Sequence, residues 1–381
     1  MGAAGRQGAT PRAEGGIGGR RAPTTTVGRR GQRCAAAPGA AAHSKEVVLA
    51  NPELFACNPK DDAFHRDPSP GFFEWWYFDA FFDDQSSFVI SWHVDGMGAD
   101  GHIIFAAYDQ AGKKTEASAT FPASVVSVSE TTCDVRMGGN YVRGQFPRWE
   151  MHFCEGGLGC DLVFQNLTQG VRTPPDGVTT RFSEDPPRYI AWVVAQPRAD
   201  VSGELTVGSN TFKVHGVGYH DHNWGVGQGT PGGGAAQLSG GGLGALFDHW
   251  YWGRLYLPAH TLVYTVGRAP EALGKFPILS LVALRGESLV TFSGQVDYEE
   301  KDLRVDEASG AQYPLELVIK PRHRRIQGEL ALKLRKIIEI HPHGERGRAY
   351  LRFLADCHAK LDFDGERIET VVPAIHELMR P

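Results

Sequence analysis

The densest set of reactive side chains in the sequence is Gly216-Val217-Gly218-Tyr219-His220-Asp221-His222-Asn223-Trp224-Gly225. On an extended strand, successive side chains alternate between two faces. Tyr219, Asp221 and Asn223 then share one side, and His220, His222 and Trp224 the other. A phenol, a carboxyl and an amide would thus converge, pointing into the lumen if the strand belongs to a barrel. Desolvation in an apolar lumen raises a carboxyl pKa, so Asp221 would keep a proton to donate, with Tyr219 orienting it. Other roles fit the same residues. Asp221 suits a strand-ending turn, and the whole cluster suits a structural polar network. His220 and His222, with His215 and His249, offer imidazoles to a metal. No carboxylate or thiolate in the sequence pattern completes that set, so no bound metal is expected.

A second cluster, Glu74-Trp75-Trp76-Tyr77-Phe78-Asp79, places an acid beside large rings. Glu74 there is a candidate for a perturbed pKa, although such an aromatic face is commonly core. Trp192, Trp250 and Trp252 add ring surface, and the face of a tryptophan attracts a cation through its quadrupole. The sequence has no G-x-S-x-G elbow, P-loop, H-E-x-x-H pair or strand-following G-x-G-x-x-G.

The elements that must hold these residues read as strands. Short runs rich in Val, Ile, Phe, Tyr and Trp recur over 75–82, 87–93, 103–108, 189–195, 211–217, 250–257, 261–266, 279–284 and 315–319. Gly, Pro or Asp clusters bound most of them, as in a sandwich or barrel. The alternation of Leu330, Leu332 and Leu334 with Lys333 and Arg335 favours a further strand over a helix. The 47 glycines and 23 prolines suit many tight turns. A chain of 381 residues exceeds what one core usually serves, so two domains are expected. His249-Trp250-Tyr251-Trp252-Gly253-Arg254 opens the second half much as Glu74–Phe78 opens the first. The expected partition is 1–45, a disordered basic segment; 46–225, a first β domain; 226–245, a Gly-rich linker or loop; and 246–381, a second β domain.

The formal net charge is −5, but the first 45 residues carry eight basic side chains against Glu14 alone. The remaining body is therefore acidic and would repel nucleic-acid backbones. The stretch 29–37 reads as the end of a transit peptide, or equally as part of an over-extended start. A basic arm of this kind would also suit peripheral attachment to anionic lipid. Six scattered cysteines make neither a disulfide scaffold nor a zinc pattern. No apolar run approaches the roughly 18 residues that span a bilayer.

The stretches Glu74–Asp79 and Gly218–Gly225 resemble the signatures of the carotenoid 1,2-hydratase (hydroxyneurosporene synthase) and AttH-like family. Asp248–Arg254 and Ala374–Met379 fit the same pattern. The resemblance implies an all-β fold of two lipocalin-like β-barrel domains. It implies catalysis by a Tyr-x-Asp pair, here Tyr219 and Asp221, with an upstream Trp matching Trp192. The expected activity is hydration of an isoprenoid, carotenoid-type C=C by acid-initiated protonation, without a cofactor. The partner is a large apolar small molecule, with Trp192, Trp224, His220, His222, Asn223, Glu74, Trp75 and Trp250 contacting it. A cyclase of the Diels–Alderase kind and a non-catalytic lipocalin-like carrier are the alternatives. Carotenoid-type substrates favour a plastid location over the cytoplasm.

Overall fold

The computed structural model describes residues 52–95, 100–227, 246–342 and 345–381. The expectations for residues 1–45, and for all but the first two residues of 226–245, lie outside them.

The protein is all-β and built as two lipocalin-like barrels. Thirteen described strands from Phe72 to Val226 form one nearly closed sheet, and nine from His249 to Arg380 form the other. The two follow one plan. The opening strand Phe72–Phe82 is hydrogen-bonded between the second strand, Ser87–Asp95, and the last strand of its sheet, Asn210–Val226. The second sheet's opening strand, His249–Tyr256, likewise lies between His260–Arg268 and the last strand, Glu366–Arg380.

Alternation builds each interior. On the strand Phe72–Phe82, Phe72, Trp76, Phe78, Ala80 and Phe82 turn inward and are buried, with Phe88, Phe105, Phe153 and Phe164 packed around them. Leu255, Leu317, Leu332, Leu351 and Phe353 belong to the corresponding core of the second barrel. Fully burying a side chain of this size stabilises by about 1.5–3 kcal/mol. Gly218, paired with Ala80, leaves space that the core uses: a Cβ there would sit 2.5 Å from the Val201 side chain and 2.7 Å from the Phe164 ring. The region 330–340, expected as a strand, lies within the strand Ile326–Pro342. Two strands exceed their expected runs, Pro187–Val207 with 21 residues and Asn210–Val226 with 17.

The barrels meet through buried side chains. Val171, Trp192, Val194 and Tyr219 of the first pack against Trp252, Val263, Val282 and Leu284 of the second. Glu339 of the second barrel accepts hydrogen bonds from Tyr108 and Lys114 of the first. Burial raises its carboxyl pKa, but His341, Lys114 and Tyr108 outweigh burial and hold it down to about 2, from an ordinary 4.5. A depressed carboxyl contributes stability above its unfolded pKa and loses it as pH falls toward the folded one. The contact should therefore weaken from about pH 4.5 down to about pH 2, by at most about 3 kcal/mol. Denaturant unfolding across that range should show a smaller acid loss in Glu339→Gln than in the wild type. Equal slopes would mean that Glu339 plays no such part.

Candidate functional site

Trp192, Tyr219 and Asn223 converge on one carboxylate. The indole N–H of Trp192 and the hydroxyl of Tyr219 each donate to Oδ2 of Asp221 at 2.8 Å, and the Asn223 amide donates to Oδ1 at 2.8 Å. Strand register explains the convergence. Tyr219, Asp221 and Asn223 alternate along Asn210–Val226, and Trp192 lies directly opposite Asn223 on the neighbouring strand.

The face they occupy differs from the expected one. Trp224 and the ring of His220 turn into the first barrel, where His220 stacks on Phe78 at 3.7 Å. The other set must therefore point out of the barrel. It is buried because the second barrel covers it, and Asp221 is only 4% exposed. The carboxyl thus sits between the barrels rather than in a lumen. Its desolvation is real all the same. Burial pushes the Asp221 pKa up, the three donors pull it back, and it comes to about 7. At neutral pH the group both holds and releases a proton. Burial, and then the Asp221 charge, push the Tyr219 phenol well above its ordinary value.

Aromatic rings wall this carboxyl from both barrels. Tyr219 lies 5.1 Å from Trp252 and 6.3 Å from Tyr77, and Trp192 meets Phe292 edge-on at 6.1 Å. Beside them runs a buried ionic network that crosses the interface. Asp79 pairs with Arg254 at 2.6 Å and with Arg352 at 3.3 Å, and Arg352 pairs with Glu377 at 2.7 Å. The Tyr77 hydroxyl contacts Asp79 at 2.9 Å. The Arg254 guanidinium lies 5.6 Å from the centre of the Tyr219 ring.

The residues expected to line one pocket divide between two faces. Trp192 and Asn223 join Tyr219 and Asp221, and Trp250 borders the same apolar cluster. Glu74, His220, His222 and Trp224 occupy the opposite side, inside the first barrel, because their strand positions have the other parity. There the Asp62 carboxylate meets His220 at 3.0 Å and the Trp149 indole at 2.9 Å, while Glu74 meets His65 at 3.0 Å and His222 at 2.8 Å. Trp75 stacks on Phe73 at the edge of a third cluster with Phe247 and Trp250. The four imidazoles considered together as metal ligands do not gather. His215 is exposed between Asp83 and Asp200, and His249 pairs with Asp248 and Tyr298 in the second barrel.

Sequence reasoning missed Asp62, which ends a short 3-10 turn before the first strand, and His65 just beyond it, neither of which carries a periodic signal. It also missed Phe292 against Trp192, Arg254 beside the Tyr219 ring and Arg352 in the adjoining ionic network, since only docking of the barrels brings them there.

No family model matches the chain. Among curated proteins it is 26% identical to the quinolone epoxide rearrangement protein asqO of Emericella nidulans, over 50% of this chain and 53% of that protein. It is 26% identical to the hydroxyneurosporene dehydrogenase of Chlorobaculum tepidum, over 54% of this chain and 59% of that protein. The chain thus spans little more than half the length of these relatives. Among solved structures, an AttH-type protein from Nitrosomonas europaea aligns with TM-score 0.57 at 13% identity, covering 87% of this chain and 96% of that one. CghA in complex with Sch210972 aligns with TM-score 0.62 at 14% identity, covering 86% and 97%. Kievitone hydratase from Nectria haematococca aligns with TM-score 0.54 at 13% identity, covering 86% and 94%. These likenesses bear out the resemblance read from the signature stretches, at the level of fold.

Proposed function

We propose that this protein, which has the AttH-like fold, is an enzyme of the lyase type. It would add water to an isoprenoid-type C=C of a large apolar substrate held between its two barrels. The observation that carries this reading is the Asp221 carboxyl, buried among aromatic rings yet held near neutrality by Trp192, Tyr219 and Asn223.

The step needs only a proton and water. Protonated Asp221 gives its proton to one alkene carbon, leaving a tertiary carbocation at the other. The Tyr219 hydroxyl, bonded to the same carboxyl oxygen, orients that transfer. The ring faces of Trp192, Trp252 and Phe292 are suited to stabilise the cation. Water then adds to the cation, and its spare proton returns to the Asp221 carboxylate. The hydroxyneurosporene name of one relative supports an isoprenoid substrate.

A second reading uses the same residues. The likeness to a quinolone epoxide rearrangement protein favours acid-assisted opening of an epoxide, with collapse of the cation to an isomer. The two readings differ in product mass, a gain of one water against no change. Incubating the purified protein with an acyclic polyene isoprenoid should give the hydrated product. Tyr219→Phe should slow it at least tenfold or so, by loosening proton delivery. Absence of product from wild-type protein, with unchanged lipid extracted from it, would replace the enzyme reading with that of a carrier.

A further inference from the structure

Inside the first barrel, away from Asp221, three ligand-type atoms from separate stretches converge. Nδ1 of His65 and Nε2 of His222 lie 3.0 Å and 2.8 Å from the same oxygen, Oε1 of Glu74. All three atoms lie within 4.8 Å of one another. His222 is fully buried, yet neither of its ring nitrogens makes a hydrogen bond of acceptable geometry. The approach of Nε2 to Glu74 is close but off the line an N–H would need. Buried polar atoms are rarely left in that state. Glu74, 1% exposed, also lacks a permanent cation: its ion-pair partners among the described residues are these two imidazoles.

We propose that His65, Glu74 and His222 form a binding site for a divalent transition metal of the zinc class. Two imidazole nitrogens and one carboxylate oxygen make a borderline donor set, as zinc and its neighbours prefer. His65, whose side chain is 27% exposed, is the one of the three in contact with solvent.

The surroundings hold the ligands in place. The backbone N–H of His65 bonds both Glu74 oxygens, at 2.9 and 3.1 Å. His65 stacks on Trp224 at 3.7 Å and His222 on Trp76 at 4.4 Å. The other ring nitrogen of His222, Nδ1, lies 3.6 Å from the Asp62 carboxylate. A carboxylate behind a ligating imidazole is the usual supporting arrangement. The neighbouring groupings are already satisfied. Asp62, beside Cys133, is bonded by His220 and Trp149, and His220 also meets the Tyr77 carbonyl. Glu339, beside Glu116 and His341, is occupied by Lys114.

The test uses the full chain, stripped with a chelator and titrated with Zn²⁺ and with Co²⁺. About one metal ion per chain is expected, with a raised thermal midpoint and visible Co²⁺ bands of four-coordinate intensity. Glu74→Gln and His65→Ala should each abolish stoichiometric binding. His65 is half-buried at the edge of the barrel, so its variant should keep the circular dichroism of the wild type. Metal content well below one per folded wild-type chain would overturn the site. So would stoichiometric binding that survives in both variants.

Discussion

Asp221→Asn is expected to reduce hydration by roughly 10²–10⁴-fold, the range associated with loss of a general acid. The substitution keeps the volume and one oxygen. It therefore leaves an acceptor for the Trp192 and Tyr219 donors, while an amide nitrogen replaces the oxygen that accepts from Asn223 and cannot accept in its place. What is lost outright is a group able to release a proton near neutrality. A neutral amide also removes a buried negative charge, so the fold should hold. Unchanged circular dichroism beside collapsed turnover is the expected pair of results. Full turnover in Asp221→Asn would remove proton transfer from the mechanism. It would leave a cyclisation driven by substrate shape, in which loss of Trp192 or Trp252 should matter more.

The second large effect concerns stability. Asp79 is 1% exposed and meets two buried guanidinium groups, Arg254 at 2.6 Å and Arg352 at 3.3 Å. Asp79→Asn would leave both cations without their shared carboxylate. Breaking a buried pair from one side typically costs about 3–5 kcal/mol, because the surviving charge stays desolvated. The network joins a strand of the first barrel to two strands of the second, so the same change should loosen their docking. Chemical denaturation should show the loss, and an earlier, separate transition of one barrel is the expected form. A loss below about 1 kcal/mol, typical of exposed pairs, would show that solvent reaches Asp79 and that the interface is looser than its burial implies. The comparison also bears on activity, since Arg254 lies against the ring of Tyr219.

How far these features were legible from sequence depends on the range of the interaction that creates them. Alternation is local. It shows in Leu330–Arg335, and strand-type runs bounded by Gly, Pro or Asp recur along the chain, so the all-β class follows from the chain itself, as does the sharing of one face by Tyr219, Asp221 and Asn223. The pairing of Trp192 with that face depends on strand register, which two irregularities between Val193 and Ala199 leave unpredictable from residue counting.

Alternation separates two faces but cannot say what covers either. Both faces of the C-terminal half of Asn210–Val226 are buried, one by the first barrel's own core and one by the second barrel, and residue type alone favours neither for Asp221. Docking decided it: the lumen filled with Trp76, Phe78 and Trp224, and the carboxyl was left to the interface. The same holds for the imidazoles. His220 and His222 were visible as a pair, but Glu74 reaches His222 only from the neighbouring strand. Asp62 and His65 arrive on a segment whose place depends on the barrel being built. Local sequence determined which side chains travel together. Tertiary packing, through desolvation and the partners it supplies, decided which of them can hold a proton and which converge as ligands.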